Sequence, residues 1–170
     1  MHDNSLNECL KFSTGLIVHR GHDPLSIADV GSFDVNGTYR PLFIRDNWRY
    51  VGFDIRAGGN VDVVLYGHDD WQLQAEHREA FDVVISGQCM EHVAAPWRWI
   101  KNVASLMRPG ALLWLAVPNT EVFHEHPIDA WRVWPDGMRA IFAEGGLTEI
   151  LCEVHGPDTI GIARKARCAT

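Results

Sequence analysis

Two stretches of the chain carry residue types that could hold a small molecule or act on one. The first is Asp29-Val30-Gly31-Ser32-Phe33-Asp34-Val35-Asn36-Gly37, at the end of a short apolar run. A glycine there lets the backbone turn tightly and approach a ligand, and Asn36-Gly37 offers positive-φ positions before a short helix. Asp54 closes the next apolar run, 25 positions beyond Asp29. Its carboxylate has two acceptor oxygens, enough for both hydroxyls of an adenosine ribose. Each part alone has an ordinary reading, as a strand-to-helix turn and as a solvated loop acid. Together they point to a ligand that contains a nucleoside. A dinucleotide fits less well, because the third and sixth positions counted from Gly31 are Phe33 and Asn36 rather than glycine. No Lys-Ser/Thr pair follows a glycine here, so a phosphate loop is also missing.

The second stretch is Cys89-Met90-Glu91-His92-Val93. His92 follows an apolar run and titrates near neutral pH when unperturbed, so it is the candidate general base; the competing reading is a structural histidine that begins a helix or steadies a loop. His124-Glu125-His126 with Asp129 has the composition of a metal cluster, but no third ligand stands at firm spacing. Pro127 and the approach to Trp131 read instead as a loop facing an acceptor, and no metal is assigned. Trp131, Arg132 and Trp134 either close that pocket or pack the following helix.

These residues sit at the ends of a recurring strand pattern. Apolar runs at Ser26–Val30, Arg49–Ile55, Val61–Leu65, Phe81–Ser86 and Ala111–Val117 stay apolar on successive residues, as strands buried on both faces of a parallel sheet do. Helices are expected from Pro96 to about Met107, with Trp97, Ile100, Val103, Ala104 and Met107 inward, and from Pro135 to Glu144, burying Met138, Ile141 and Phe142. Thr148–His155 and Asp158–Ala163, joined by Gly156-Pro157, read as a closing hairpin. Residues 1–20 form an N-terminal extension or one short helix with Leu6, Cys9 and Leu10 on one face. The whole of 1–170 reads as a single α/β domain, a mostly parallel sheet with helices on both faces and a C-terminal antiparallel hairpin. Too few residues separate the second and third strands for a crossover helix, so one sheet edge is expected to lie uncovered, and a homodimer is one way to cover it.

Composition narrows the partners. The 170 residues are 46% apolar and 22% charged, with 15 Lys+Arg against 22 Asp+Glu and a net charge of −7. That balance argues against nucleic acid as the main partner. No apolar run approaches the roughly 18 residues that span a bilayer, and the polar N-terminus does not read as a secretory signal. Cys9, Cys89, Cys152 and Cys168 lack any CxxC spacing and read as free thiols in a reducing cytoplasm. Trp97 and Trp114 fall in core patterns, which leaves Trp48, Trp71, Trp99, Trp131 and Trp134 to include a partner surface.

Taken in order, DVGSFDVNGTYRPLF, YVGFDI, FDVVISGQCMEHV, LMRPGALLWLAVPN and the hairpin resemble a class I S-adenosylmethionine-dependent methyltransferase of the type-11 methyltransferase-domain group, over about Ser26 to Arg164. The resemblance implies a Rossmann-like sheet and S-adenosyl-L-methionine as cofactor. It implies that Asp29, Gly31, Ser32, Phe33 and Gly37 wrap the methionine part, that Asp54 holds the ribose diol with Ile55 against the adenine, and that Gly87 and Gln88 line the other side. The acid that the family usually places after the third strand is replaced by Gly67 or His68, so Asp70 or its neighbour Asp69 stands in for the adenine contact. The function implied is methyl transfer to a small-molecule O or N acceptor. The alternatives are a cofactor-binding module without turnover that acts with a partner protein, and a nicotinamide-dependent reductase, which the glycine pattern disfavours. No Asn-Pro-Pro-Tyr signature follows the fourth strand, which disfavours a planar base or a glutamine amide as acceptor.

Overall fold

The computed structural model describes residues 3–67 and 71–167. Seven strands form one sheet: β1 (Leu25–Val30), β2 (Trp48–Asp54), β3 (Val63–Val64), β4 (Phe81–Gly87), β5 (Met107–Pro118), β6 (Leu147–His155) and β7 (Asp158–Lys165). Their spatial order is β3-β2-β1-β4-β5-β7-β6. The first five pair in parallel, and β7 runs antiparallel to both β5 and β6. The chain builds outward from β1 to β2 and β3, then returns to place β4 on the other side of β1. That reversal opens a crevice at the carboxyl ends of β1 and β4, where α/β sheets bind ligands.

Side chains alternate between two apolar layers, because successive strand residues point to opposite faces. Leu25, Ile27, Val83, Ile85, Trp114 and Ala116 pack under helix α1 (Asp3–Arg20) with Tyr39, Phe43 and Trp48. Ala28, Val30, Val84, Leu113, Leu115 and Val117 face α2 (Pro96–Leu106) and α3 (Pro135–Glu144). α1 is far longer than a short helix, and its buried stripe is Ser5, Cys9, Ser13 and Leu16. Leu10, expected inward, is exposed. The ladder of small side chains at 5, 9 and 13 is what seats the helix close to the sheet, a signal that apolar periodicity overlooks.

α2 brings a second correction. Trp97 is 47% exposed and Trp99 2% exposed, so the two exchange the places expected of them. The buried stripe is Trp99, Ile100, Val103, Ala104 and Leu106, and Met107 already belongs to β5, opposite Phe81. Trp48 and Trp71 are also buried. In α3, Met138 and Phe142 are buried and Ile141 is half-buried.

Between β1 and β2 the short helix expected after Asn36-Gly37 is reduced to a single 3-10 turn, Arg40–Phe43. β2 returns to β3 through residues 55–62 without a helix. β3 is only two residues long, pairing Val63 with Phe53 and Val64 with Asp54. Asn60, at φ 68, turns the chain, and Asp62 fastens it, its N–H donating to the Gly52 carbonyl (2.8 Å) and its carboxylate accepting from the Gly52 N–H (2.7 Å). A backbone clip does here what a crossover helix does elsewhere. No helix among the described residues is long and apolar enough to cross a membrane.

Candidate functional site

A cavity of about 550 Å³ opens at the reversal point. One end is built from backbone. Gly31 leaves β1 at φ +80, and a Cβ there would stand 2.5 Å from Cys89 Sγ, so glycine is required both for its conformation and for the approach of the β4 loop. The N–H groups of Gly31 and Ser32 both donate to the Phe53 carbonyl, at 2.9 and 3.1 Å. Asp54 Oδ2 accepts the Phe33 N–H at 3.0 Å and Oδ1 the Arg56 N–H at 3.0 Å. Each oxygen keeps a second lone pair, so two hydroxyls can still be received. Phe33, Ile55, Leu65 and Trp71 form an apolar slot beside it, with the Arg56 guanidinium 4.5 Å from the Phe33 ring centre.

Of the residues expected to bind a cofactor, Gly31, Phe33, Asp54, Ile55 and Gln88 line the cavity. Four others do not. Asp29 is buried behind the loop and accepts from the Tyr50 hydroxyl. Burial raises its pKa to about 7, against the opposing pull of Tyr50 and Arg40. Ser32 is turned inward, its hydroxyl donating to the Asn60 carbonyl at 3.2 Å. Gly37 sits in an exposed turn, its N–H donating to Asp34 Oδ1 at 2.7 Å. Gly87 is packed against Tyr39, whose hydroxyl would lie 2.1 Å from a Cβ. Asp29, Ser32 and Gly87 are packed away from the cavity and Gly37 lies in an exposed turn outside it, a distinction that position after a strand does not reveal. Asp70 lies outside the described residues.

Gln88 (φ 56) is held by a chain of contacts that sequence reading missed. Its side-chain NH₂ donates to Asp158 Oδ1 at 2.9 Å, and Asn4 donates to Asp158 Oδ2 at 2.7 Å. Asp158 is fully buried, and nothing in its hairpin position announced a polar role. This leaves Gln88 Oε1 buried without a hydrogen-bond donor, as Trp71 Nε1 is without an acceptor. An acceptor and a donor left over in one cavity, with a carboxylate that has lone pairs to spare, fit a nucleoside bearing a cationic amino-acid arm.

The other end is built from side chains. His92, on a 3-10 turn (Met90–His92), lines the cavity together with His124 and His126 from the loop after β5. The His92 ring centre is 5.1 Å from that of His124 and 5.7 Å from that of His126. Burial lowers the His92 pKa, with the neighbouring imidazoles adding to the effect, so the ring is neutral at pH 7. Its Nδ1 faces the Ile128 carbonyl at 2.6 Å. A carbonyl cannot donate, so Nδ1 carries the hydrogen and Nε2 the lone pair. Glu91 is fully buried, and both carboxylate oxygens lack a hydrogen bond. Burial raises its pKa to about 8. Burial also raises the Cys89 thiol well above its usual range, so it stays protonated.

The histidine loop is tied down by an acid that is neither ligand nor base. Asp129 accepts from two Arg132 nitrogens (2.6 and 2.7 Å) and from the His124 N–H (2.7 Å), and Arg132 holds its pKa low. Arg132 also donates to the Glu121 and Val122 carbonyls, and the Trp131 indole to the Val93 carbonyl at 2.7 Å. Trp131 and Arg132 therefore brace the loop, while Trp134 is exposed. The expectation of a loop beside the cavity stands for His124 and His126. The third partner that spacing failed to supply comes from the β4 loop, where Glu91 and His92 reach His124, with ligand atoms of all three within 4.8 Å of one another.

Comparison with known proteins follows the same lines. Residues 34–154 match a family model described as a methyltransferase domain. Over 41 residues the chain is 44% identical to a ubiquinone biosynthesis O-methyltransferase of Parvibaculum lavamentivorans, covering 24% of this chain and only 16% of that protein. The fold superposes on the Burkholderia thailandensis 1,6-didemethyltoxoflavin-N1-methyltransferase, solved with 1,6-didemethyltoxoflavin and S-adenosylhomocysteine. The TM-score is 0.70 at 16% identity, over 96% of this chain and 80% of that one. It also resembles a chain of the complex between the Haloferax volcanii Trm112 methyltransferase activator and a putative methyltransferase, with a TM-score of 0.64 at 12% identity, over 98% of this chain and all of that one.

Proposed function

The chain belongs to the methyltransferase-domain family, and from that premise we propose that it transfers a methyl group from S-adenosylmethionine to an oxygen or nitrogen of a small molecule. The observation that carries the reading is the cavity at the β1/β4 reversal, with Asp54 and the unsatisfied Gln88 oxygen on one wall and the histidines on the other. When bound, the cofactor supplies an already activated sulfonium methyl. The remaining work falls to the chain. Asp54 receives the ribose diol, Ile55, Leu65 and Trp71 enclose the base, and Gln88 Oε1 accepts from the amino-acid arm. Aligning an acceptor in such a closed site is worth about 7–11 kcal/mol in well-oriented systems. An acceptor hydroxyl or ammonium must also shed a proton, and His92 presents a neutral imidazole with its Nε2 lone pair at that end.

Titration calorimetry with S-adenosylmethionine and S-adenosylhomocysteine tests the reading. Micromolar affinity is expected for the wild type, falling about 100-fold in Asp54→Ala, which removes the acceptor of two hydroxyls and of two backbone N–H groups. No binding by the wild-type chain overturns it.

A second reading, a cofactor-binding module that acts with a partner protein, draws support from Val122 and Phe123, which stand 77% and 71% exposed on the loop after β5. Transfer to any acceptor by the chain alone, abolished in Asp54→Ala, excludes it. Self-association has its own candidate surface along β6, an edge strand with Ile150 and Val154 exposed. The free thiols of Cys9, Cys89 and Cys152 suit a reducing cytoplasm.

A further inference from the structure

We propose that Glu91, His92 and His124 form a binding site for one divalent transition-metal ion at the histidine end of the cavity. The inference starts from hydrogen bonds. His92 Nδ1 faces the Ile128 carbonyl at 2.6 Å and His124 Nδ1 faces the Val122 carbonyl at 2.9 Å. Both rings are therefore fixed, by backbone carbonyls, in the tautomer whose Nε2 carries the lone pair. That is the outer-shell arrangement by which proteins orient metal-binding imidazoles.

The second observation is Glu91. Its side chain is fully buried, accepts no hydrogen bond among the described residues, and stands with Oε1 3.6 Å from His92 Nε2. Nε2 in this tautomer is an acceptor, and the Glu91 oxygen beside it, at 3.6 Å, is too far for a hydrogen bond and has no other hydrogen-bond partner among the described residues. A cation placed there satisfies both, and the ligand atoms of Glu91, His92 and His124 lie close enough together, all within 4.8 Å, to share one.

The donor set selects the ion. Two imidazoles and one carboxylate suit Zn²⁺, Co²⁺, Mn²⁺ or Fe²⁺ better than Mg²⁺ or Ca²⁺, which prefer oxygen. Three protein ligands leave a coordination position free, and because His92 and His124 line the cavity that position is turned toward its contents. His126 stands beside the cluster, its ring centre 6.5 Å from that of His124, and serves as a neighbour rather than a ligand. The support runs deeper: the Asp129 carboxylate that receives the His124 N–H is itself clamped by Arg132, so the loop bearing the third ligand is braced before any ion arrives. With an ion bound, the His92 Nε2 lone pair would be taken up as a ligand and the ion would supply Lewis acidity in place of the proton-accepting role of His92, and that clause alone rests on the methyl-transfer reading.

The test titrates Zn²⁺ into chelator-treated protein by calorimetry, and Co²⁺ while following its visible absorption bands. One equivalent of Zn²⁺ is expected to bind at micromolar affinity or tighter. Glu91→Gln and His92→Ala should each weaken it at least tenfold. Because Glu91 is buried, His124→Ala, at a more accessible position, provides the same loss with less risk to folding. S-adenosylhomocysteine binding should change less than threefold in His124→Ala, and Zn²⁺ binding should persist in Asp54→Ala. Absence of stoichiometric binding, or binding that survives all three ligand substitutions, overturns the metal site. Stoichiometric Zn²⁺ binding by a wild-type chain that ignores S-adenosylhomocysteine supports the metal site and overturns the methyltransferase reading.

Discussion

The two ends of the cavity are made in different ways. At the Gly31–Asp54 end the side chains that face the cavity are seated on a main-chain frame: N–H groups converge on the Phe53 carbonyl and the Asp54 carboxylate, and a Cβ on Gly31 would collide with Cys89. At the histidine end the walls are side chains carried by a loop, and the loop is held by one arginine, with Val122 and Phe123 exposed beside it. A main-chain frame changes only when the fold changes, whereas a loop that carries its wall as side chains can vary without disturbing the sheet. The first suits a ligand that stays the same, and the second a ligand that varies from one relative to another.

That contrast can be broken or sharpened by four measurements. Arg132→Gln removes charged hydrogen bonds to Asp129 together with the donors to two loop carbonyls. A loss of about 1.5–3 kcal/mol is expected, with faster hydrogen exchange confined to residues 119–133. Equal acceleration around Asp54 would show that the ends are not separable. Gly31→Ala forces a side chain to φ +80 and onto Cys89 Sγ. A denaturant midpoint shift equivalent to about 1–3 kcal/mol is expected, with partial recovery in the double variant with Cys89→Gly, which removes both the Sγ and the Cβ that the new side chain would meet.

The third measurement uses pH. Folded Asp29 holds its proton up to about 7, against 3.8 when unperturbed. Between those values the folded state binds more protons than the unfolded one, so this contribution is complete below about pH 4 and is lost as pH rises through 7, by at most about 1.4 kcal/mol per pH unit. Urea midpoints from pH 4 to 8 should show that decline, and Asp29→Asn should flatten it. The smallest effect is expected for Phe123→Ser, within about 0.5 kcal/mol in stability and without change in S-adenosylhomocysteine affinity.

The same contrast explains what the sequence disclosed. The strands, α3 and the hairpin were legible because uninterrupted apolar runs and the Gly-Pro turn leave few alternatives. Gly31 and Asp54 were legible because tight turns and strand-end acids are local features. The roles of Trp97 and Trp99 were not, since both fit an apolar stripe and only the rotation of α2 on the sheet decides between them. Gly37 lies in an exposed turn well past β1, and Gly87, expected just after the fourth strand, is the last residue of β4 and packs against Tyr39, so neither lines the cavity. Asp158, Asn4 and Glu91 could not be read at all: their partners lie 70, 154 and 33 positions away in Gln88, Asp158 and His124.

The Asn4–Asp158–Gln88 chain has a consequence for synthesis. Gly31, Asp54 and Gln88 leave the ribosome long before Asp158, and Gln88 has its fixed orientation only once β7 has paired with β5. The pocket is therefore finished by β7, the last in chain order of the described strands. A nascent chain already carrying most of the binding residues has no completed site for its ligand, so occupancy waits on the finished fold.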